Sequence, residues 1–325
     1  MTRLPARATA AALAVAALLG LAACGPTGSD SSRVEPTAPA AYPESTSYPD
    51  IPVVPDIRYG TADGAPLLLD ACLPAESDGG EEPRAAIVVI HGGSWQHGDK
   101  ANLNWRSVCQ WFASEGFVAV SVNYRLVPAA TFPAQLDDVQ AAVRWLREPA
   151  QVEEYNLDPE RIGAFGGSAG GSLAALLGTV GSGPWTEDAR VAAVAELSGP
   201  VDLRTRIDTT DSYNQDFGQV VLDYLGCTAF ADCPGAAKAS PVFLVDETDP
   251  PFFVAHSTEE FIPIAQSDEF VEALRGAGID TDYVTVKGSL HSIAMLDDDI
   301  RSRIIAFFRD ALGRDAVEPS PEPGE

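Results

Sequence analysis

Short, continuously apolar segments alternate with segments of helical spacing along most of this chain, and no other feature restricts its fold as strongly. A continuous apolar run is typical of a strand that is buried on both faces of a sheet. Strands of this kind that alternate with helices predict a parallel sheet with helices on both sides. The apolar runs are AAIVVIHGG, FVAVSVNYR, RIGAFGG, VAAVAELSG and PPFFVAHS. The sequence therefore predicts an α/β fold with a mostly parallel central sheet.

Two further parts of the chain complete this expected domain. Two strands joined at the Asp63-Gly64 turn precede the first buried strand. Residues 201–245 break the alternation, because they are polar, aromatic and cysteine-containing. We interpret them as a small cap-like insertion over one end of the sheet rather than as a second domain.

The first 23 residues have the features of a secretory signal peptide, with two arginines, a short apolar run and small residues at its end. The apolar run is shorter than the ~20 residues that a membrane span needs. The tetrapeptide Leu21-Ala22-Ala23-Cys24 is similar to the lipobox of bacterial lipoproteins. This resemblance implies that Cys24 is acylated and becomes the first mature residue. Ordinary secretion and a retained anchor are the alternatives.

The segments on either side of the expected domain have compositions that do not favour a packed core. Residues 24–50 are rich in Pro, Ser and Thr and are predicted to form a flexible linker. Residues 315–325 are predicted to be a disordered acidic tail, which leaves residues 51–314 as the folded domain. The expected location is the outer face of the cytoplasmic membrane, where the lipid on Cys24 anchors the protein, or the medium if the chain is secreted.

The charge of the chain excludes some classes of partner. The net charge is −26 and the sequence pI is near 4.3. Nucleic acids and anionic lipid surfaces are bound by clusters of Lys and Arg. We therefore expect no nucleic-acid partner, and we expect contact with the membrane only through the lipid anchor.

Four cysteines remain once Cys24 is set aside, and an even number in an exported chain favours disulfide bonds. Cys227 and Cys233 are close in sequence and predict a local bridge. Cys72 and Cys109 are then left to pair with each other, with free buried thiols as the alternative. No histidine has the spacing to these cysteines that a zinc site needs, so no metal is expected.

Ser168 lies in the segment FGGSAGG, where a predicted strand turns directly into a predicted helix. The residues around it fit G-x-S-x-G, the sharp turn that holds a nucleophilic serine at the end of a strand. The free N–H groups and the positive dipole end of a helix N-terminus suit a developing oxyanion. Ser168 is therefore the candidate nucleophile, although a glycine-rich turn with an uninvolved serine would have the same pattern.

A second glycine-rich segment, HGGSW, directly follows the buried strand IVVI. Its glycines allow the backbone to turn N–H groups toward a substrate carbonyl. The N–H groups of Gly93, Ser94 and Ala169 are the candidate oxyanion hole. His91 precedes the serine on another strand, so we interpret it as a structural residue rather than a base.

These motifs, together with VNYRLVPAATFPAQLDDVQAAVRWL and GSLHSIAML, resemble those of the α/β-hydrolase fold. Within that fold, the chain is similar to bacterial esterases and lipases related to hormone-sensitive lipase and to feruloyl-esterase-like hydrolases. The resemblance covers residues 55–312. It implies a catalytic order of serine, acid and histidine along the chain.

The resemblance also implies the partners of Ser168. His291 follows the last predicted strand, where the family base lies, and it can take and return a proton. The family acid is expected in AHSTEEFIP, which is one residue short of the family pattern. Counting back from Ile262-Pro263 selects Glu259, which we prefer. Counting forward from His256 selects Glu260, and Asp202 is a third candidate.

The sequence thus predicts a serine carboxylic-ester hydrolase that works through an acyl-enzyme and needs no metal or organic cofactor. Its expected partner is an ester, either a small molecule or an ester of an envelope component or polysaccharide. HGGSWQ is also similar to arylformamidases, so amide cleavage is an alternative. Acyl transfer with the same residues, or a silent hydrolase fold used for binding, are further alternatives.

Overall fold

The computed structural model describes residues 47–75 and 82–313. The predicted signal peptide, the lipidation site Cys24, the linker up to residue 46 and the acidic tail lie outside these residues. The described part contains eight strands: β1 (Val53–Ala62), β2 (Ala65–Cys72), β3 (Arg84–Ile90), β4 (Val118–Val122), β5 (Leu157–Gly167), β6 (Ala193–Leu197), β7 (Phe252–Ser257) and β8 (Thr281–Val286). It also contains seven α-helices: α1 (Leu103–Ser114), α2 (Ala134–Leu146), α3 (Pro149–Tyr155), α4 (Ala169–Thr179), α5 (Phe217–Leu225), α6 (Ala265–Gly276) and α7 (Asp298–Gly313).

All eight strands form one sheet in the order β1-β2-β4-β3-β5-β6-β7-β8. Strand β2 pairs antiparallel with β1 and β4, and every pairing from β4 to β8 is parallel. The turn between β1 and β2 is the predicted Asp63-Gly64 pair, both with positive φ. This architecture confirms the predicted α/β-hydrolase fold with a mostly parallel sheet.

The apolar runs give each central strand two buried faces, as the composition predicted. In β3, Ala86, Val88 and Ile90 belong to one apolar core, and Ile87 and Val89 belong to the other. Helices α2, α4, α5 and α6 supply the first core, whereas α1 and α7 supply the second. Because side chains alternate along a strand, one uninterrupted apolar run serves both layers of helices.

The chain between β6 and β7 contains the predicted insertion. It holds α5 and three single turns of 3₁₀ helix. The carboxylate of Asp216 accepts the N–H of Gln219 and caps the start of α5, and Gly226 ends the helix with a φ of 67°. The ring of Tyr224 stacks on Trp95 with ring centroids 4.1 Å apart. The insertion therefore packs into the same core as the residues that follow β3.

Two disulfides are present, and they join the cysteine pairs that the sequence favoured. Cys72, at the end of β2, bonds to Cys109 of α1. Cys227 bonds to Cys233 and closes the loop that follows α5. Between residues 47 and 75 and between 82 and 313, no helix combines the length and the apolar character that crossing a membrane requires.

Candidate active site

Ser168 lies between the last residue of β5 and the first residue of α4, in a conformation that is unusual for serine. Its φ is 58° and its ψ is −127°. Its N–H donates to the carbonyl of Leu197 at 2.8 Å, and its own carbonyl accepts the N–H of Ser172 at 3.0 Å. Such a backbone costs free energy and persists only where its surroundings enforce it, which is common at functional sites.

The glycines around Ser168 are required because α4 begins very close to neighbouring backbone. A Cβ atom on Gly170 would collide with the carbonyl oxygen of Ile90 at the end of β3. A Cβ atom on Gly166 would collide with the carbonyl oxygen of Gly170 itself. The turn can therefore be this sharp only if both positions lack a side chain.

A cavity of about 100 Å³ opens beside Ser168 at the carboxyl end of the sheet. Its walls come from the loop after β3, the start of α1, the loop after β8 and the insertion. It is lined by Gly92, Gly93, Ser94, Gly98, Asn102, Asn104, Trp105, Ser168, Ser212, Tyr213, His291, Ser292 and Ile293. Ser168 and His291, which are 123 positions apart in sequence, thus line one cavity.

His291 lies in the loop between β8 and α7, and its two ring nitrogens have different environments. The Nδ1 atom contacts the Oε2 atom of Glu260. No described residue hydrogen-bonds to the Nε2 atom, although this atom is buried. Because an ionised carboxylate only accepts hydrogen bonds, Nδ1 carries the proton and Nε2 keeps its lone pair. The phenyl ring of Phe261 packs against the imidazole with centroids 4.4 Å apart.

The structure contradicts the preferred acid, because Glu260 and not Glu259 contacts His291. Glu259 is exposed in the turn after β7, where its N–H donates to the carbonyl of Gly288. The Glu260 side chain is 1% exposed. The loop is therefore one residue shorter than the family pattern between the acid and Ile262-Pro263. For this reason, counting back from Pro263 selected the wrong glutamate. Asp202, the third candidate, instead pairs with Arg204 at 3.0 Å.

The second carboxylate oxygen of Glu260 is held by a group of donors that the sequence did not indicate. The hydroxyl of Ser198 donates to Oε1 at 2.5 Å. The Nε2 atom of His256 donates to the carbonyl of Ile262 at 2.9 Å and lies 3.1 Å from Oε1. The N–H of Ser257 lies at 3.3 Å. Donors on both oxygens fix the orientation of the carboxylate toward His291.

Ser198 also links the acid to the histidine loop. Its oxygen accepts the N–H of Ser292, the residue that follows His291, at 3.2 Å. Ser198 follows β6 with a φ of 55° and is fully buried. A contact with α6 holds the imidazole of His256 on its other side: the Nδ1 atom lies 2.7 Å from the hydroxyl of Ser267.

Glu196, at the carboxyl end of β6, is a second buried carboxyl group near the site. Its Oε2 atom accepts the N–H of Gly199 at 2.8 Å, and no described residue hydrogen-bonds to its Oε1 atom. Burial and, to a smaller extent, the nearby Glu260 raise the pKa of Glu196 to about 8, against the lowering effect of the hydrogen bond from Gly199. Glu196 is therefore mostly uncharged at neutral pH, in contrast to the donor-rich setting of Glu260.

The structure brings the predicted oxyanion residues to the same end of the sheet. Gly93 and Ser94 line the cavity with φ of 124° and 55°. Their N–H groups make no hydrogen bond to any described residue, whereas the carbonyl of Gly93 accepts the N–H of His97. Ala169 is buried as the first residue of α4, next to Ser168.

His91 is fully buried and stacks on Tyr124, with ring centroids 4.4 Å apart. Burial lowers its pKa to about 4, so it is neutral near pH 7. Its Nδ1 atom lies 2.9 Å from the carbonyl oxygen of Gly92 and therefore donates to it. These contacts support the loop after β3, which agrees with the structural interpretation of this residue. Among the residues that the structure describes, no three His, Cys, Asp or Glu side chains are grouped so as to hold a metal ion.

The chain is similar to known proteins in both sequence and structure. The BD-FAE family model matches residues 69–274. The esterase LipQ of Mycobacterium tuberculosis is 32% identical over 260 residues, which are 77% of this chain and 59% of that protein. This chain thus spans less than two thirds of the length of that relative.

Two solved structures have the same fold. The thermophilic esterase 2 of Thermogutta terrifontis has a TM-score of 0.63 and 26% identity, covering 85% of this chain and 96% of that one. It has also been solved phosphonylated by sarin. A truncated carbohydrate esterase from gut microbiota has a TM-score of 0.67 over 85% of this chain and all of that one, and at 24% identity it is evidence for the fold alone.

Proposed function

Because this chain belongs to the BD-FAE family, we propose that it is a serine hydrolase that cleaves carboxylic ester bonds. One observation carries the proposal: Ser168, at its sharp turn, and His291 line one cavity, while Glu260 contacts the opposite nitrogen of the imidazole. Nucleophilic catalysis by a serine uses such a set of groups, in which a base activates the hydroxyl and an acid orients the base.

In the first half of the reaction, the hydroxyl oxygen of Ser168 attacks the carbonyl carbon of the ester. The Nε2 atom of His291 takes the hydroxyl proton, and Glu260 stabilises the imidazolium that results. The N–H groups of Gly93, Ser94 and Ala169 stabilise the tetrahedral oxyanion. The intermediate then releases the alcohol, which receives the proton from His291, and an acyl group remains on Ser168.

In the second half, water attacks the acyl carbon and gives a proton to the Nε2 atom of His291. The same N–H groups stabilise the second tetrahedral intermediate. Its collapse releases the carboxylic acid and returns the proton to Ser168. Every proton moves through the side chains of this chain, and the reaction as proposed includes no metal or organic cofactor.

The shape of the cavity favours esters with a short acyl chain. Its volume of about 100 Å³ is small beside the roughly 300–1,000 Å³ of pockets that bury drug-sized ligands. Asn102, Asn104 and Ser212 contribute polar groups to its wall, and Trp105 contributes an apolar one. We propose a short acyl group on Ser168 and a polar alcohol at the cavity mouth, as in esters of envelope components or polysaccharides.

We also propose that the protein works outside the cytoplasm, held to the membrane by a lipid on Cys24 or secreted. The signal-like N-terminus and the lipobox support this location. The two disulfides agree with it, because such bonds persist in oxidising compartments.

Hydrolysis of p-nitrophenyl acetate, butyrate and laurate by the purified protein and its Ser168→Ala variant tests this function. Loss of the nucleophile should lower kcat by up to about a million-fold. Ser172→Ala is the matched control, because Ser172 is buried one turn further along α4 and does not line the cavity. Acetate should be hydrolysed faster than laurate if the acyl site is short.

A phosphonate probe separates the proposed function from its alternatives, since the Thermogutta esterase is known in a form phosphonylated by sarin. A folded protein that hydrolyses no ester and does not react with the probe at Ser168 would be a binding protein. Reaction with the probe but not with esters would redirect the search to amides. Transfer of the acyl group to an added alcohol would identify an acyltransferase.

A further inference from the structure

We propose that Asp211, in the insertion between β6 and β7, is a positioning residue that joins the oxyanion loop to the turn at the cavity mouth. This inference rests on the proposed function, because it concerns the same cavity. Asp211 does not line the cavity. It acts through the residues that its carboxylate holds.

Both carboxylate oxygens of Asp211 are used, and they bind different parts of the chain. The Oδ2 atom accepts the hydroxyl of Ser94 at 2.7 Å. The Oδ1 atom accepts the N–H groups of Tyr213 and Gln215, each at 2.9 Å. Asp211 is 4% exposed, so these bonds form in a buried setting, where an acceptor that loses its donors is costly.

The bond to Ser94 fixes the backbone that carries the oxyanion hole. Ser94 has a φ of 55°, in the left-handed region that serine seldom adopts. Its hydroxyl donates to Asp211, while its N–H has no partner among the described residues. The hydroxyl therefore holds the residue in place, and the N–H remains available for the reaction.

The other oxygen of Asp211 shapes the turn that borders the cavity. The N–H of Asp211 donates to the carbonyl of Gln215, and the N–H of Asn214 donates to the carbonyl of Asp211, which closes the turn. Ser212 and Tyr213, at the tip of this turn, line the cavity. The half-exposed ring of Tyr213 packs on His97 with centroids 4.4 Å apart.

One carboxylate thus holds the groups that stabilise the transition state and the groups that meet the substrate at the cavity mouth. A displacement of the oxyanion N–H groups by about 1 Å is enough to slow catalysis by roughly a hundred-fold. We therefore expect loss of the Asp211 contacts to lower kcat rather than to raise KM. Removal of the Tyr213 ring should raise KM rather than lower kcat, because the backbone N–H that donates to Asp211 remains.

The test measures kcat and KM for p-nitrophenyl acetate with Asp211→Ala, Ser94→Ala and the double variant. Each single variant should lower kcat by about 10- to 100-fold with KM changed less than about three-fold. The double variant should be no slower than the slower single one, because both changes break the same bond. Ser94→Ala keeps the N–H of the oxyanion hole, so its effect can come only from position.

Asp211→Asn should restore most of the rate, because its amide can still accept from the turn and can donate to Ser94. Asp208→Ala is the control, since Asp208 lies in the same insertion with an 82% exposed side chain. A thermal unfolding curve for each variant shows whether it is folded at the assay temperature. If Asp211→Ala does not fold, Ser94→Ala decides the matter alone.

The outcomes separate this inference from the proposed function. A wild-type enzyme that depends on Ser168, with full kcat in both Ser94→Ala and Asp211→Ala, would overturn the inference and leave the function intact. If the wild type is slow on esters but reacts with a phosphonate, the rate of labelling replaces kcat. Labelling of both variants at least ten-fold more slowly supports the inference, and labelling at the wild-type rate overturns it. A wild type that neither hydrolyses nor reacts overturns both proposals.

Discussion

Replacing Glu260 by glutamine should stop the base from working, and its neighbour Glu259 provides a matched comparison. The amide of Glu260→Gln has two possible orientations, and both are unfavourable. If its NH₂ group faces Nδ1 of His291, the imidazole must move its proton to Nε2 and can no longer accept one. If its NH₂ group faces the other way, it meets the N–H of Ser257, and the hydroxyl of Ser198 loses its acceptor.

The size of the effect follows from the role of the acid. A triad in which the imidazole has the wrong tautomer keeps its geometry and its oxyanion hole but loses its base. Changes of that kind lower kcat by roughly ten-thousand-fold. Glu259→Gln should change kcat by less than about two-fold, because its side chain is exposed and only its backbone makes a hydrogen bond.

The assay is steady-state hydrolysis of p-nitrophenyl acetate by the wild type and the two variants at one pH, with near-UV circular dichroism as the check on folding. Because only Glu260 contacts His291, the loss of kcat should be large in Glu260→Gln and small in Glu259→Gln. A large loss of activity in Glu259→Gln, with near-normal activity in Glu260→Gln, would refute the assignment. It would mean that the loop after β7 has another arrangement in the active enzyme.

Two further predictions concern stability. Changing both Cys72 and Cys109 to alanine should lower the free energy of unfolding by about 4 kcal/mol, because their bridge closes a loop with a separation of 37 residues. The same change at Cys227 and Cys233, with a separation of six residues, should cost about 2 kcal/mol. Equal urea midpoints for the two double variants would contradict this ordering. Glu196 should make the wild type less stable as the pH rises. The unfolded chain loses this proton near the usual pKa of 4.5 and the folded protein only near 8, so the folded state holds the extra proton between these values. Glu196→Gln should therefore weaken the decline in stability between pH 5 and pH 8, by on the order of 3 kcal/mol in urea unfolding, and an unchanged pH dependence would show that Glu196 is ionised in the folded protein.

The sheet could be predicted from the sequence because its signal is local. Each central strand must bury both faces, so the runs from β3 to β7 are mostly apolar, and the glycines around Ser168 identify the turn that follows β5. The sequence does not predict helix α3, since this helix has no buried residue and thus no apolar stripe. Its boundaries depend on Pro149 at its start and Asn156, with a φ of 49°, at its end.

The acid could not be chosen from the sequence for a physical reason. Glu259 and Glu260 are adjacent, and the direction of each side chain depends on where the loop after β7 lost its missing residue. That choice is fixed by contacts from distant parts of the chain: Gly288 accepts the N–H of Glu259, and Ser198 donates to Glu260. A count of residues carries no information about either contact.

The same limit applies to the insertion, whose effect on catalysis depends on a pair of residues 117 positions apart. Sequence composition indicated a cap, and a cap suggests a role in choosing the substrate. The bond between Ser94 and Asp211 gives the insertion a second role, because it supports the backbone that receives the oxyanion. Substitutions in residues 201–245 should therefore divide into two classes. Those at the tip of the turn should change KM and substrate preference, and those that disturb Asp211 should change kcat for every ester alike.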